Sequence, residues 1–381
     1  MRIKDYIQNN PYRVMGVASN DSSDIVSSHQ SRMKAYSAIG KTVCYPIDMN
    51  KVFEVEPKRN MENISSCLAS LSSPIGRLLN GMFWFMNITE TDAKALAALA
   101  QNGDLLSTRK IWEENQQNMS ALQNQLVCCL LKDPRSYSRA LQTANLLYSK
   151  YGDEFISTIC NGFSVITPSE LMPTFLSEII NSTDGDCFWW DKAVKRMDDE
   201  HISHLWADVK ANHHVKKMQE ALNVAKTTEY SKPEENYKIA RQLMKCTERH
   251  LKSMKSLVDR FPFLLSRYAT IADSVCEEIL NQEIKYYNRS IRTFKLKNKA
   301  LELERFCYRY AATVRFKERC KLNINITLGR NENAPLFANG TPDRLLLESD
   351  RKKRNTAIYG ILSALVNRHK TKSFKALPTN A

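Results

Sequence analysis

Few residues in this chain have the types and spacing that chemistry needs. His201-Ile202-Ser203-His204, with Asp198-Asp199-Glu200 before it and His213-His214 after it, is the one metal-like grouping. Histidines at i and i+3 can share a helix face and a metal ion. The same stretch carries Leu205, Trp206 and Val209 as an apolar side, which turns the histidines partly to solvent. A solvated helix is the preferred reading, and no metal ligand is assigned. No nucleophile has a recognisable base beside it, and neither a glycine-rich phosphate loop nor a Gly-x-Ser-x-Gly elbow occurs. The expectation is a protein without catalysis and without a cofactor.

Binding chemistry is better represented. Cys187-Phe188-Trp189-Trp190 is a dense aromatic run. Trp189 and Trp190 could anchor a partner, since Trp is enriched at interaction hot spots. The competing and preferred reading is a core plug between helices, because large aromatics dominate helical cores. Residues 289–321 hold a run of cations that includes Arg305 and Arg309, interleaved with Tyr286, Tyr287, Phe294, Phe306, Tyr308 and Tyr310. That mixture is compatible with phosphate contacts, although aromatics at helical spacing are expected to face a core.

Charge is unevenly spread. Residues 1–288 carry 34 basic and 34 acidic side chains, and the excess of +14 lies wholly in 289–381, with 21 basic and 7 acidic. From Arg351 onward there are eight basic residues and no acidic one, beginning with Arg351-Lys352-Lys353-Arg354. A basic end of this kind either contacts an anionic partner or keeps a tail solvated. The partner-binding candidates are therefore Trp189, Trp190, Arg305, Arg309, Arg351, Lys352, Lys353 and Arg354.

The elements that must position these residues read as helices. Eleven glycines and twelve prolines are few for 381 residues, which favours long helices over many-turned sheets. No stretch approaches the roughly 20 apolar residues of a membrane span. The ten cysteines are scattered without a Cys-x-x-Cys pair, and Cys128-Cys129 suits helix burial, so a reducing, cytoplasmic setting is expected.

Pro11 opens a first helix, where its missing N–H costs nothing. A second begins near Ser23, with Ile25, His29, Met33 and Tyr36 on one face, and Gly40 ends it. Residues 41–60 read as a loop. Ile64, Cys67, Leu68 and Leu71 form the next stripe, and Pro74 opens a short helix whose neighbours Trp84 and Phe85 are placed to pack onto the helices C-terminal to them. Helices are then expected at 93–100, 106–113, 122–131, 137–151, 169–180, 218–224, 237–250, 253–290 and 296–320. From Thr327 the chain reads as a linker, with one more helix at 356–366 and a polar end. Ala98, Ala140 and Ala240 sit inside apolar helix pairs, in the manner of tetratricopeptide-type repeats, but no regular 34-residue period occurs.

Asn10-Pro11-Tyr12-Arg13-Val14-Met15-Gly16-Val17 resembles the opening of a J-domain, and Leu71-Ser72-Ser73-Pro74-Ile75-Gly76-Arg77 resembles the start of its last helix. The likeness covers about residues 8–85, and the first motif also resembles degenerate J-like domains of bacterial proteins with long helical extensions. In an active member a His-Pro-Asp tripeptide follows the second helix and stimulates the seventy-kilodalton heat-shock ATPase. Here Ser37-Ala38-Ile39 stands at that place, and Tyr45-Pro46-Ile47-Asp48 is a late echo without the histidine. Tyr12, Val14, Gly16, Leu71 and Arg77 match structural positions of the family only.

The resulting expectation is an all-α protein. A small J-like helical domain occupies 1–88, an array of antiparallel helical hairpins 89–326, and a linker, one helix and a basic tail 327–381. Its expected role is a non-catalytic protein-interaction or chaperone-associated scaffold, with protein partners and an unstimulated heat-shock ATPase. The alternatives are an active J-domain co-chaperone, or nucleic-acid binding through 289–381.

Overall fold

A computed structural model of the chain describes residues 3–328, apart from 115–117, 164, 184, 229–231 and 290–293. The described residues form helices and short 3-10 turns, with no strand among them. None of these helices is long and apolar enough to cross a membrane. The expected helix at 356–366 and the basic tail lie outside the described residues.

The chain divides into two compact units, Met1–His213 and His214–Ala381. In the first, α1 (Ile3–Gln8), α2 (Pro11–Met15), α3 (Ser23–Ala38), α4 (Asn50–Phe53), α5 (Met61–Ser72) and α6 (Pro74–Gly81) are followed by α7 (Glu90–Asn102), α8 (Leu105–Glu113) and α9 (Met119–Leu131). Then come α10 (Tyr137–Ile159), α11 (Pro168–Ser182), α12 (Phe188–Met197) and α13 (Glu200–Thr227), which carries the division between the units. The second unit holds α14 (Pro233–Arg260), α15 (Leu265–Arg289), α16 (Phe294–Tyr310) and α17 (Val314–Leu328). Helices adjacent in sequence pack on one another: α7 on α8, α8 on α9, α9 on α10, α14 on α15, α15 on α16 and α16 on α17.

Local chemistry sets the helix starts. The Asn10, Ser22, Asn60 and Ser73 side chains each accept an N–H of the following first turn, and Thr89 and Asp92 form a reciprocal capping box. Gly16 ends α2 at φ 67°, and a Cβ there would lie 2.2 Å from the Tyr45 ring. Both the left-handed backbone and the ring contact demand glycine at this position.

One apolar core runs through the first unit from Ile3 to Val209. Every side chain of α9 is buried, which marks it as the central helix of this unit. Trp84 and Phe85 do pack on residues both before and after them. Phe85 stacks on Trp112 at 6.3 Å, and Trp84 Nε1 donates to Val17 O at 3.0 Å. Burial of such a ring contributes roughly 1.5–3 kcal/mol.

Several boundaries differ from the sequence reading. On α3 the inward residues are Val26 and Met33, while Ile25 and Tyr36 are exposed. Met33 fits the expected stripe while Ile25 and Tyr36 do not, because α3 is polar nearly all round and gives a weak period. Residues 41–60 contain a 3-10 turn at Pro46–Asp48 and α4, not an open loop. The long helices expected at 253–290 and 296–320 are broken at Phe261-Pro262 and at Ala311-Ala312-Thr313. Pro262 lacks the N–H that would continue α14. At the second break Asp273 binds the Ala312 and Thr313 amides at 2.7 and 3.3 Å, replacing helix bonds.

Candidate functional site

Phe188, Trp189 and Trp190 open α12, and the helix separates them. Its buried residues are Trp190, Ala193 and Val194, a spacing of three and four that turns one face inward. Trp190 is 1% exposed and stacks on Tyr137 at 4.1 Å with an interplanar angle of 11°. Phe188 and Trp189 point outward, 56% and 43% exposed, in an edge-to-face pair at 5.4 Å. The Lys192 ammonium lies over both rings, at 4.3 Å from Phe188 and 5.0 Å from Trp189. Lys195 and Arg196 are exposed one turn further along. Asp191 is turned away to Trp206 Nε1 at 2.7 Å and to Lys210 at 2.8 Å. The outward face of α12 is thus an aromatic pair continued by three cations. Of the two predicted tryptophans, Trp189 belongs to this surface and Trp190 to the core. Lys192 is absent from the sequence-based candidates, although its distance of three and four residues from Trp189 and Phe188 is a usable signal.

The cation-rich segment is arranged differently. Tyr286, Phe306 and Tyr310 are buried, as their helical spacing predicts. Arg305 and Arg309 are half-buried on α16. Arg305 acts on the Glu304 carboxyl, and Arg309 on the Tyr310 hydroxyl. Lys299 sits over the Tyr237 and Tyr286 rings, and Arg319 and Lys321 pair with Glu277 and Glu318. Arg315 and Lys317 are exposed. Trp189 belongs to the first unit, and Arg305 and Arg309 to the second. Arg351, Lys352, Lys353 and Arg354 lie outside the described residues.

Residues carrying the J-like resemblance are knitted into the interior. Tyr12 Oη donates to Arg77 O at 3.2 Å, and Arg77 donates to Ile159 O at 2.8 Å and Asp21 O at 2.6 Å. Asp48 is 1% exposed and bound by both terminal nitrogens of Arg59, while its backbone carbonyl accepts Arg13 Nε at 2.7 Å. Burial, opposed by Asp48, lowers the Arg13 guanidinium to about 10, so it stays charged at neutral pH. His29 stacks on Tyr45 at 4.1 Å. Ser37-Ala38-Ile39 lie exposed at the end of α3.

His201 and His204 are exposed, and no group of three or more His, Cys, Asp or Glu able to hold a metal occurs among the described residues. His214 and His250 instead form a buried pair with Nδ1 atoms 3.0 Å apart. Arg249 Nε donates to His250 Nε2, which places the His250 proton on Nδ1 and makes His214 Nδ1 the acceptor. Asp92, 1% exposed, accepts from Thr89, Trp112 Nε1, Ser120 Oγ and Asn124 Nδ2. A cleft of about 70 Å³ beside it is lined by Thr89, Thr91, Asp92, Trp112, Asn118 and Ala121. Small-molecule sites typically run to roughly 300–1,000 Å³, so this cleft is of solvent size. Comparison of the chain with family models, with curated proteins and with solved structures finds no match.

Proposed function

We propose that this protein is a non-catalytic interaction scaffold that engages a protein partner through the outward face of α12. The observation carrying this reading is the exposed Phe188–Trp189 pair capped by Lys192, on a helix whose other face is locked into the core by Trp190. Rigid aromatics with a cation over them supply contact area at little entropic cost. Asp186 precedes the face, and Asp198, Asp199 and Glu200 come after it. Those acids bound the cationic run and disfavour an extended polyanion such as nucleic acid. They suit a partner that offers an apolar anchor beside one or two acidic groups. Packed neighbouring helices support the helical-hairpin array as the platform for this surface.

In this reading the N-terminal segment is a degenerate J-like element that serves as part of the platform. Burial of Asp48 under Arg59 supports that role, because an aspartate held inside cannot meet an ATPase. The ten free thiols fit a cytoplasmic setting, where they stay reduced.

The test is a photo-crosslinker placed at Lys192 in native cells, with products identified by mass spectrometry. A discrete protein product that disappears in the Phe188→Ala/Trp189→Ala double variant is expected. Products unchanged by the double variant would overturn the reading. Stimulation of a heat-shock ATPase by the full chain would favour the co-chaperone alternative. A gel shift with nucleic acid that persists in the double variant would favour the basic region.

A further inference from the structure

The α14–α15 and α16–α17 turns lie at one end of the second unit. Tyr268 Oη, in the first turn of α15, donates to Tyr310 O at the end of α16 at 3.0 Å. Further along α15, Asp273 accepts the Ala312 amide at 2.7 Å and the Thr313 hydroxyl at 2.6 Å. Thr313 Oγ1 in turn accepts the Phe316 amide at 3.3 Å and so caps α17. Each turn is also pinned from inside, by buried Leu264 in the first and buried Ala311 in the second.

The apolar residues beside these anchors face solvent. Phe263 is 53%, Leu265 55% and Val314 78% exposed, and Val314 is the most exposed large apolar side chain among the described residues. Phe263 packs edge-on against Phe261 at 6.1 Å, and the Arg260 guanidinium lies 5.4 Å from the Phe261 ring centre.

Cations surround them. Lys255 and Arg260 near the end of α14, and Arg315 and Lys317 at the start of α17, are all exposed. The neighbouring acids are engaged elsewhere: Glu248 with Lys252 and Tyr310, Asp273 with the α16–α17 turn, Glu277 with Arg319 and Glu318 with Lys321. Asp259 is exposed at the same end and leaves the positive charge in excess.

Exposed apolar side chains scattered singly are ordinary. Three at one end of a helical unit, set among cations whose neighbouring acids are occupied, make a different surface. Apolar side chains leave water at the acyl boundary of a bilayer, and Lys and Arg meet the charge of anionic headgroups. Leu265 and Val314 gain nothing from the phosphates of a nucleic acid. Two helix-hairpin ends, rather than a groove, suit a fluid surface better than a shaped partner. We propose that this end of the second unit docks on an anionic lipid surface, with Phe263, Leu265 and Val314 entering the interface and Lys255, Arg260, Arg315 and Lys317 meeting headgroup charge. The docking is peripheral, since none of the described helices is long and apolar enough to cross a membrane. It involves other residues than the Phe188–Trp189 face, so the two surfaces are tested apart.

The experiment is co-sedimentation of the full chain with phosphatidylcholine vesicles in which phosphatidylserine makes up about a third of the lipid, against vesicles of phosphatidylcholine alone. Wild type is expected to partition onto the anionic vesicles, and to lose that partition as salt rises and screens the cations. Arg260→Gln and Lys317→Gln are each expected to weaken it about fivefold, the worth of one cation near such a surface. Phe263→Ser/Leu265→Ser, on one turn, is expected to weaken it about tenfold or more, and Val314→Ser, on the other, to act in the same direction. All of these side chains are exposed, so helical content by circular dichroism is expected to match wild type. Failure of wild type to sediment with anionic vesicles overturns the proposal. Equal binding to both kinds of vesicle overturns it, as does binding that survives the variants of both turns. Loss of vesicle binding in Phe188→Ala/Trp189→Ala overturns it by moving the contact to α12. A protein or nucleic-acid complex lost in the turn variants, without vesicle binding, overturns it by giving this end to that partner.

Discussion

In the first unit the buried carboxylates of Asp48 and Asp92 meet donors, whereas in the second unit Glu283 and Glu304 are 3% and 1% exposed and burial pushes their carboxyls up, to about 8 and about 7. Asp48 has the Arg59 guanidinium and the Tyr45 amide; Asp92 has Thr89, Trp112, Ser120 and Asn124. The oxygens of these acids are occupied by hydrogen-bond donors, which offsets the cost of burying them. Glu283 and Glu304 have Arg305 as the single cation acting on them among the described residues. Burial alone therefore does not decide whether a charge stabilises a fold. What faces it does, and the second unit is set to respond to pH where the first is set to hold.

The largest effect expected from breaking this contrast is in the first unit. Arg59→Ala would leave the Asp48 charge buried without its cation and is expected to cost about 3–5 kcal/mol in urea denaturation. A loss below about 1 kcal/mol would show that the pairing is not what keeps Asp48 inside. Trp190→Ala should cost a comparable 3–5 kcal/mol, about what deletion of a fully buried ring costs, read from the same denaturation curves. In the second unit, raising pH from about 6 to about 8.5 is expected to remove about 4 kcal/mol of stability, seen as a lower melting temperature of that unit. Glu283→Gln should recover about 1–2 kcal/mol of this near pH 8.5 and little near pH 5, a difference that paired thermal melts can measure. The smallest effect belongs to the outward face of α12. Trp189→Ala should change stability by less than about 0.5 kcal/mol while abolishing the crosslinked product, separating it sharply from its neighbour Trp190.

Legibility in the sequence tracks the strength of local signals. The helix starts at Pro11, Ser23 and Pro74 are readable because the residues that set them lie within a few positions of each start. The inward aromatics of α15 and α16 are readable from their spacing. The inward side of α3 is not, since two buried residues in a polar helix leave almost no periodic signal. The breaks in the two long C-terminal helices are hidden because flanking helical periodicity masks them, and one depends on Asp273, some 40 residues away along the chain. The acids at 283 and 304 carry only a faint sign, a charged residue in an apolar stripe, and a pattern of apolar spacing passes over it.

The sequence by itself determined that the protein is helical, where most of its helices begin, and that its excess positive charge lies in the last quarter of the chain. It also placed two adjacent tryptophans in one aromatic run. Only the tertiary structure decided which of them reaches solvent, and that Lys192 covers the one that does. It likewise decided that Asp48 is clamped by Arg59 and that Glu283 and Glu304 are buried. The physical reason is common to all of these. Helix formation is governed by neighbours three and four residues apart, but exposure and charge pairing are set by whichever helix packs against the face.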